Sequence, residues 1–292
     1  MNHFSLIYLG LFSLTISVLS FFNIIYSYYF NLYLNLNSYI YTLIISLILG
    51  IFFLFKNKDN FKISIYHKIL IVILGYLILP CIISIPFYFS IYNISFLDSY
   101  FEAISGFTST GFTVFDNIKH LDESLILWRS SSQWIGGLYF LFSIILLIDI
   151  FDNNLKKSLT NFLSFNTSEV LKQSSKILIL YILLTFCIFI ILRIFHFRFF
   201  DSFNLAMTLI SSGGFLPVND LSIIVNTNAK EIIFSLLMLI SFFSIFLSYN
   251  LFFVKNKNIN FFQEDIYLFL YLITLIAIFF SLFHHLQSKI LF

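Results

Sequence analysis

The residues whose types and spacing could do chemistry fall in two segments that repeat one another. FLDSYFEAISGFTSTGF (96–112) and FFDSFNLAMTLISSGGF (199–215) align at a fixed offset of 103 residues, pairing Phe96 with Phe199, Asp98 with Asp201, Ser99 with Ser202, Ala103 with Ala206, Ser109 with Ser212, Gly111 with Gly214 and Phe112 with Phe215. Duplication at a fixed spacing marks one structural unit used twice. An extended run such as TSTGFT can turn successive carbonyl oxygens toward an axis, where they replace the hydration shell of a cation, and glycine permits the backbone angles this needs. The hydroxyls of Thr108, Thr110 and Ser211 could add oxygens. A short helix ending at each run would turn the negative end of its dipole toward the cation, so no carboxylate is required. An isolated Ser-Thr-Gly run reads as a glycine turn at a helix end; two copies in matching surroundings read as paired loops.

Those loops need elements to hold them, and composition says what kind. Of 292 residues, 60% are hydrophobic and 10% charged, and the mean hydropathy is +0.96, outside the range of soluble domains. A helix needs roughly 20 apolar residues to cross a hydrocarbon core. Seven segments qualify, at about 5–28, 38–55, 67–92, 124–149, 174–196, 230–254 and 264–286. The first lacks a basic start and a small-residue cleavage site, and so reads as a span rather than a signal sequence. Each duplicated segment lies between two spans, which predicts an all-α polytopic membrane protein with about seven transmembrane helices and two re-entrant units of span, short helix, loop and span. Irregular backbone at membrane depth must be buried in protein or face water, and residues 108–113 and 211–215 fit that condition. Asp98 and Asp201 stand where they could cap the short helices.

With the N-terminus in the cytoplasm, the inner loops hold Lys56, Lys58, Lys62, Lys68, Lys156, Lys157, Lys172, Lys176, Lys255 and Lys257, and the outer segments only Lys119, Arg198 and Lys230. The positive-inside rule selects that orientation. A formal charge of +2 gives no reason to expect a nucleic-acid partner. The 42 Phe and 17 Tyr accompany abundant Ile, Asn and Lys and read as an AT-rich coding bias. Cys81 and Cys187 lack metal or redox spacing and read as inert core residues. GxSG, HExxH and paired membrane aspartates are missing from the places where an intramembrane enzyme would carry them.

Glu102 in the first short helix and Arg129 in the next span are membrane-depth charges, which predicts a structural ion pair between them. Repeat two has Leu205 at the place of Glu102, which argues against Glu102 as an ion ligand. Gly136 and Gly137 read as close-packing positions. The adjacent His284 and His285 point about 100° apart on a helix and make a poor metal pair, and Asp149 and Asp152 with Lys156 and Lys157 read as a solvated boundary.

FEAISGFTSTGFTVFDN followed by LWRSSSQWIGGLYF resembles the first pore repeat of the Trk/Ktr (TrkH-like) potassium transporter family, and ISSGGF resembles its second filter. The resemblance implies a selectivity filter of Thr108, Ser109, Thr110, Gly111 and Phe112 in one strand and Ser211, Ser212, Gly213, Gly214 and Phe215 in the other, with potassium held at Thr110, Gly111, Gly213 and Gly214. It implies an N-terminal two-span unit over 1–62, repeat one over 63–155, repeat two over 170–257, and a lone span over 258–292 resembling the first helix of a third repeat. It further implies potassium uptake across the inner membrane of a bacterium, no covalent cofactor, and a cytosolic TrkA-like nucleotide-binding regulatory subunit. Family members place four repeats around one pore. Two here imply a truncated or split chain completed by a second-half polypeptide or by a homo-oligomer, or else a non-conducting remnant or accessory subunit. The residues alone do not rank potassium over sodium, since both filters expose the same kind of oxygen.

Overall fold

A computed structural model describes residues 7–55, 65–90, 92, 94–147, 167–238, 270–271 and 274–275. It divides into two compact units, Met1–Ser244 and Ile245–Phe292. The described part of the second unit is a few helical residues, in which Thr274 Oγ1 donates to Tyr271 O at 2.8 Å. The expected span at 264–286, with His284 and His285, otherwise lies outside the described residues, as do Asp149, Asp152, Lys156 and Lys157.

The first unit is helical throughout, with no strand among the described residues. Its helices are α1 (Ile7–Tyr29), α2 (Leu36–Phe55), α3 (Ile65–Ile83), α4 (Ile85–Tyr88), α5 (Phe96–Phe107), α6 (Glu123–Leu147), α7 (Thr167–Ile194) and α8 (Phe199–Ile210), followed by α9, helical from 228 to 238. Among the described residues, four segments are long and apolar enough to cross a membrane: Ile7–Tyr29, Leu36–Phe55, Tyr66–Tyr88 and Ile177–Ile194. Tyr66–Tyr88 is interrupted near Ser84, where Pro86 enters the first turn of α4 and removes a backbone donor. α6 has 25 residues, but Arg129, Gln133 and a serine run lower its apolarity because it faces protein rather than lipid.

α1 and α2 form an antiparallel hairpin sealed by small residues. Ser20 Oγ donates to Tyr39 O at 2.6 Å, and a Cβ on Gly10 would stand 3.1 Å from Gly50 O. Small side chains let helix backbones approach where lipid offers no hydrophobic drive to association. The hairpin reaches α6 through Tyr39 Oη and Ser124 Oγ, 3.0 Å apart.

α6 is the central post. Trp128 Nε1 donates to Ile83 O at 3.0 Å, Trp134 Nε1 to Thr185 Oγ1 at 3.0 Å, and Tyr139 Oη to Val72 O at 3.0 Å, joining α6 to α3 and α7. Ser131 and Ser132 return their hydroxyls to the helix's own carbonyls at Leu127 and Arg129, which satisfies them inside a dry core. Cys81 and Cys187 are exposed on α3 and α7, not in the core as their apolar surroundings led us to expect. Apolar neighbours do not distinguish a core-facing position from an outward one on a helix whose surroundings are lipid.

Candidate functional site

The two duplicated segments fold alike down to their individual hydrogen bonds. α5 and α8 each have 12 residues and each ends in a Schellman closure. Ser109 N donates to Gly106 O at 2.9 Å and Thr110 N to Ser105 O at 3.0 Å; Ser212 N donates to Leu209 O at 3.0 Å and Gly213 N to Thr208 O at 2.8 Å. The hinge in both is a serine in the left-handed region, Ser109 at φ 56° and Ser212 at φ 53°. Non-glycine residues rarely stay there unless their surroundings hold them.

Past the hinges the chains extend and meet. Gly111 has φ +79°, and a Cβ on it would lie 2.7 Å from Gly214 Cα. A Cβ on Gly214 would lie 3.2 Å from Gly111 Cα, and 3.8 and 3.9 Å from the carbonyl oxygens of Thr110 and Gly111. Thr108, Thr110, Phe112, Ser212 and Gly214 are exposed, Ser109, Gly111 and Gly213 half-buried, and Ser211 and Phe215 buried. Of the three hydroxyls offered as extra ligands, Ser211 Oγ is spent on Met207 O and Thr208 O, each at 3.0 Å. Thr108 Oγ1 donates to Ile104 O at 2.7 Å, and Thr110 Oγ1 to Ser105 O at 3.1 Å.

Behind the loops, α6 supplies the support. Arg129 Nε donates to Glu102 Oε1 at 2.8 Å, with both side chains almost fully buried. Glu102 also accepts from Thr113 Oγ1 at 3.1 Å and from Val114 N at 2.9 Å, just beyond the first loop. Arg129 reaches Thr113 Oγ1 at 3.0 Å and Leu216 O at 3.5 Å, and lies 4.2 Å from the Phe215 ring centroid. One guanidinium thus touches the exit of both loops. One turn further along α6, Gln133 Oε1 accepts from Phe215 N at 3.2 Å. Its Nε2, also buried, has no hydrogen-bond partner.

The next two positions seat the helix ends. A Cβ on Gly136 would run into the Phe107 backbone, 2.6 Å from its carbonyl carbon, and one on Gly137 would lie 2.9 Å from Ser211 Cα. Adjacent glycines therefore receive the C-termini of α5 and α8 respectively. Gly136→Val is expected to abolish accumulation of folded protein, because the obstacle is backbone with no rotamer to move; Phe140→Val, at an exposed α6 site, should leave yield unchanged. Fluorescence-detected size exclusion in detergent reads both, and a monodisperse Gly136→Val peak at parental height would refute the close packing.

The acidic residues do less capping than their position in the sequence indicated. Ser95 is the N-cap of α5, accepting from Asp98 N at 3.1 Å, while its hydroxyl donates to Asp98 Oδ2 at 2.7 Å. Asp98 is thus the third helical residue, braced by the cap. Arg198 occupies the N-cap of α8 with no side-chain cap bond, and Asp201 lies in the first turn. The sequence reading also missed a bridge between the repeats. Asn219 Nδ2 donates to Asn117 Oδ1 at 2.8 Å, and its own Oδ1 accepts from Ile118 N at 2.6 Å. Asn117 and Asp220 each cap a 3₁₀ turn, Ile118–His120 and Leu221–Ile223. The available signal was the pair Asp116-Asn117 answered by Asn219-Asp220 at the same offset.

No family model matches the chain. An uncharacterized cation transporter of Methanocaldococcus jannaschii is 32% identical over 219 residues, 71% of this chain and 44% of that protein. The Trk system potassium uptake protein TrkH of Escherichia coli K12 is 30% identical over 99 residues, 33% of this chain and 20% of that one. The crystal structure of the potassium transporter TrkH from Vibrio parahaemolyticus superposes with a TM-score of 0.71 at 23% identity, over 86% of this chain and 52% of its own. The chain spans about half the length, or less, of the relatives it matches.

Proposed function

We propose, from the premise that this chain is a TrkH-like membrane protein, that it is the ion-translocating subunit of a potassium uptake system, or half of one. The observation that carries the reading is the pair of matched loops, hinged at Ser109 and Ser212 and meeting at Gly111 and Gly214. In this reading the loops re-enter the bilayer from outside, and Thr108 to Phe112 and Ser211 to Phe215 are the two filter strands, the second anchored at its ends by the buried Ser211 and Phe215. The carbonyls near Thr110, Gly111, Gly213 and Gly214 replace water around the ion. The hydroxyls of Thr108, Thr110 and Ser211 donate their O–H to backbone carbonyls, which fixes their orientation and leaves the oxygen lone pairs free beside the main-chain oxygens. Repeat one covers 63–155 and repeat two 170–257, after a two-span unit at 1–62 and before a further span at 258–292.

In this reading the N-terminus lies in the cytoplasm, by lysine placement, and the membrane is the inner membrane of a bacterium, as for the kind of organism from which the Escherichia coli and Vibrio parahaemolyticus relatives come. Two loops make half a ring, which by itself leaves inward-facing carbonyls unpaired and open to lipid. In this reading the ring is closed by two further repeats, and a cytosolic TrkA-like nucleotide-binding subunit regulates it. The exposure of Thr108, Thr110 and Phe112 also fits a second reading, an accessory subunit that pairs with an intact relative without conducting.

Cells lacking their own potassium uptake distinguish the two. Growth at low potassium should return when this chain is co-expressed with the portion of an intact relative that it does not match. Failure of every such pairing, with both proteins present in the membrane, would sink the transport reading and leave the accessory one.

A further inference from the structure

Phe112 and Phe215 end the two matched segments, yet the first ring is 71% exposed and the second 2%. The buried one shows how the position is used. Phe215 leaves its own repeat and enters a notch on the other: a Cβ on Gly106 would stand 3.0 Å from Phe215 Cε2, the Arg129 guanidinium lies 4.2 Å from its centroid, and its N–H donates to Gln133 Oε1. Gly106 belongs to α5 and the other two residues to α6, so the whole notch is built by repeat one. The junction has a direction, with the aromatic of the later repeat filling the notch of the earlier. The same step taken around the proposed ring carries Phe112 into the notch of whichever repeat stands before repeat one.

We infer that Phe112 docks into a further span–pore helix–span unit with a residue as small as glycine or alanine at the place of Gly106, and that a second copy of this chain does not supply it. The inference rests on the proposed ring. In a ring of two copies, the receiving notch would be that of repeat two, and it is already full. Leu209 stands at the place of Gly106. Because α9 starts at 228, the places of Arg129 and of Ser132, whose Cβ would lie 3.2 Å from a Cβ on Gly106, counted from the helix start fall to Phe234 and Leu237. Leu209, Phe234 and Leu237 are buried together with Leu205 in one apolar cluster. Neither the opening beside a glycine nor the cation over the ring is present, and dense packing there admits no extra side chain.

The test uses the full chain in membranes, co-expressed either with a differently tagged second copy or with a probe, the portion of the Methanocaldococcus jannaschii relative that this chain does not match. The probe is expected to co-purify, Phe112→Ala to reduce capture at least about tenfold, as for an aromatic anchor at an interface centre, and Phe112→Tyr to retain it. Tagged copies should show no co-purification that Phe112→Ala removes. Capture of the probe that is indifferent to Phe112→Ala, or pairing of two copies that Phe112→Ala abolishes, would overturn the assignment. Potassium uptake is read in parallel: Phe112-dependent capture without uptake upholds the interface while removing the transport reading.

Discussion

On the proposed transport reading, a Gly111→Ala variant is expected to lose potassium uptake by at least tenfold, while Gly214→Ala loses less. Two separate causes act at Gly111. Its φ of +79° lies where an L-residue costs roughly 1–2 kcal/mol, and the added methyl would stand 2.7 Å from Gly214 Cα. Real side chains do not approach a backbone atom so closely, so the strand must move and take the Thr110 and Gly111 carbonyls with it. About 1.4 kcal/mol lost from the proposed ion site already costs tenfold in affinity. Gly214 meets its nearest neighbour at 3.2 Å and is not left-handed, so displacement there is a matter of tenths of an ångström. Uptake of a potassium tracer by complemented cells, normalised to protein in the membrane, gives the ranking. Equal loss in the two variants would show that the strands are not held by their glycines in this way.

Arg129→Ala is expected to lower the stability of the purified chain by about 3–5 kcal/mol, the usual result of leaving one partner of a buried ion pair alone. The environment makes the loss severe, since Glu102 and Arg129 are 0% and 1% exposed and the orphaned carboxylate would have only Thr113 and Val114 left as donors. Replacing both partners, Glu102→Leu with Arg129→Met, should recover a good part of that loss, because apolar substitutes of similar volume suit such a site. Repeat two already adopts the apolar solution, with Leu205 and Phe234 in its core. Denaturant or thermal unfolding in detergent would separate the three proteins. If Arg129→Ala lies within about 1 kcal/mol of the parent, the pair is not the support described here.

How far the sequence discloses this arrangement depends on what kind of force sets each part. The duplication and the two 12-residue helices are legible because hydropathy breaks at their ends, and the helices run from Phe96 and Phe199 as the aligned segments do. The contact of Arg129 with Glu102 follows from a single rule, that charge at membrane depth needs a partner. The left-handed hinges are less visible, since this closure ordinarily advertises itself with glycine and here uses Ser109 and Ser212. Capping by Ser95 rather than Asp98 turns on one residue of helix register, finer than hydropathy resolves. The bridge through Asn219 and the support of Phe215 by Gln133 join residues about 80–100 positions apart. Their pairing depends on how one repeat is rotated against the other, which no local pattern encodes.

Gly136 and Gly137 carry a mechanical consequence. Because consecutive residues of one rigid helix abut the tips of α5 and α8, and dense interiors transmit strain instead of absorbing it, twisting α6 by a few degrees drives both tips in the same stroke.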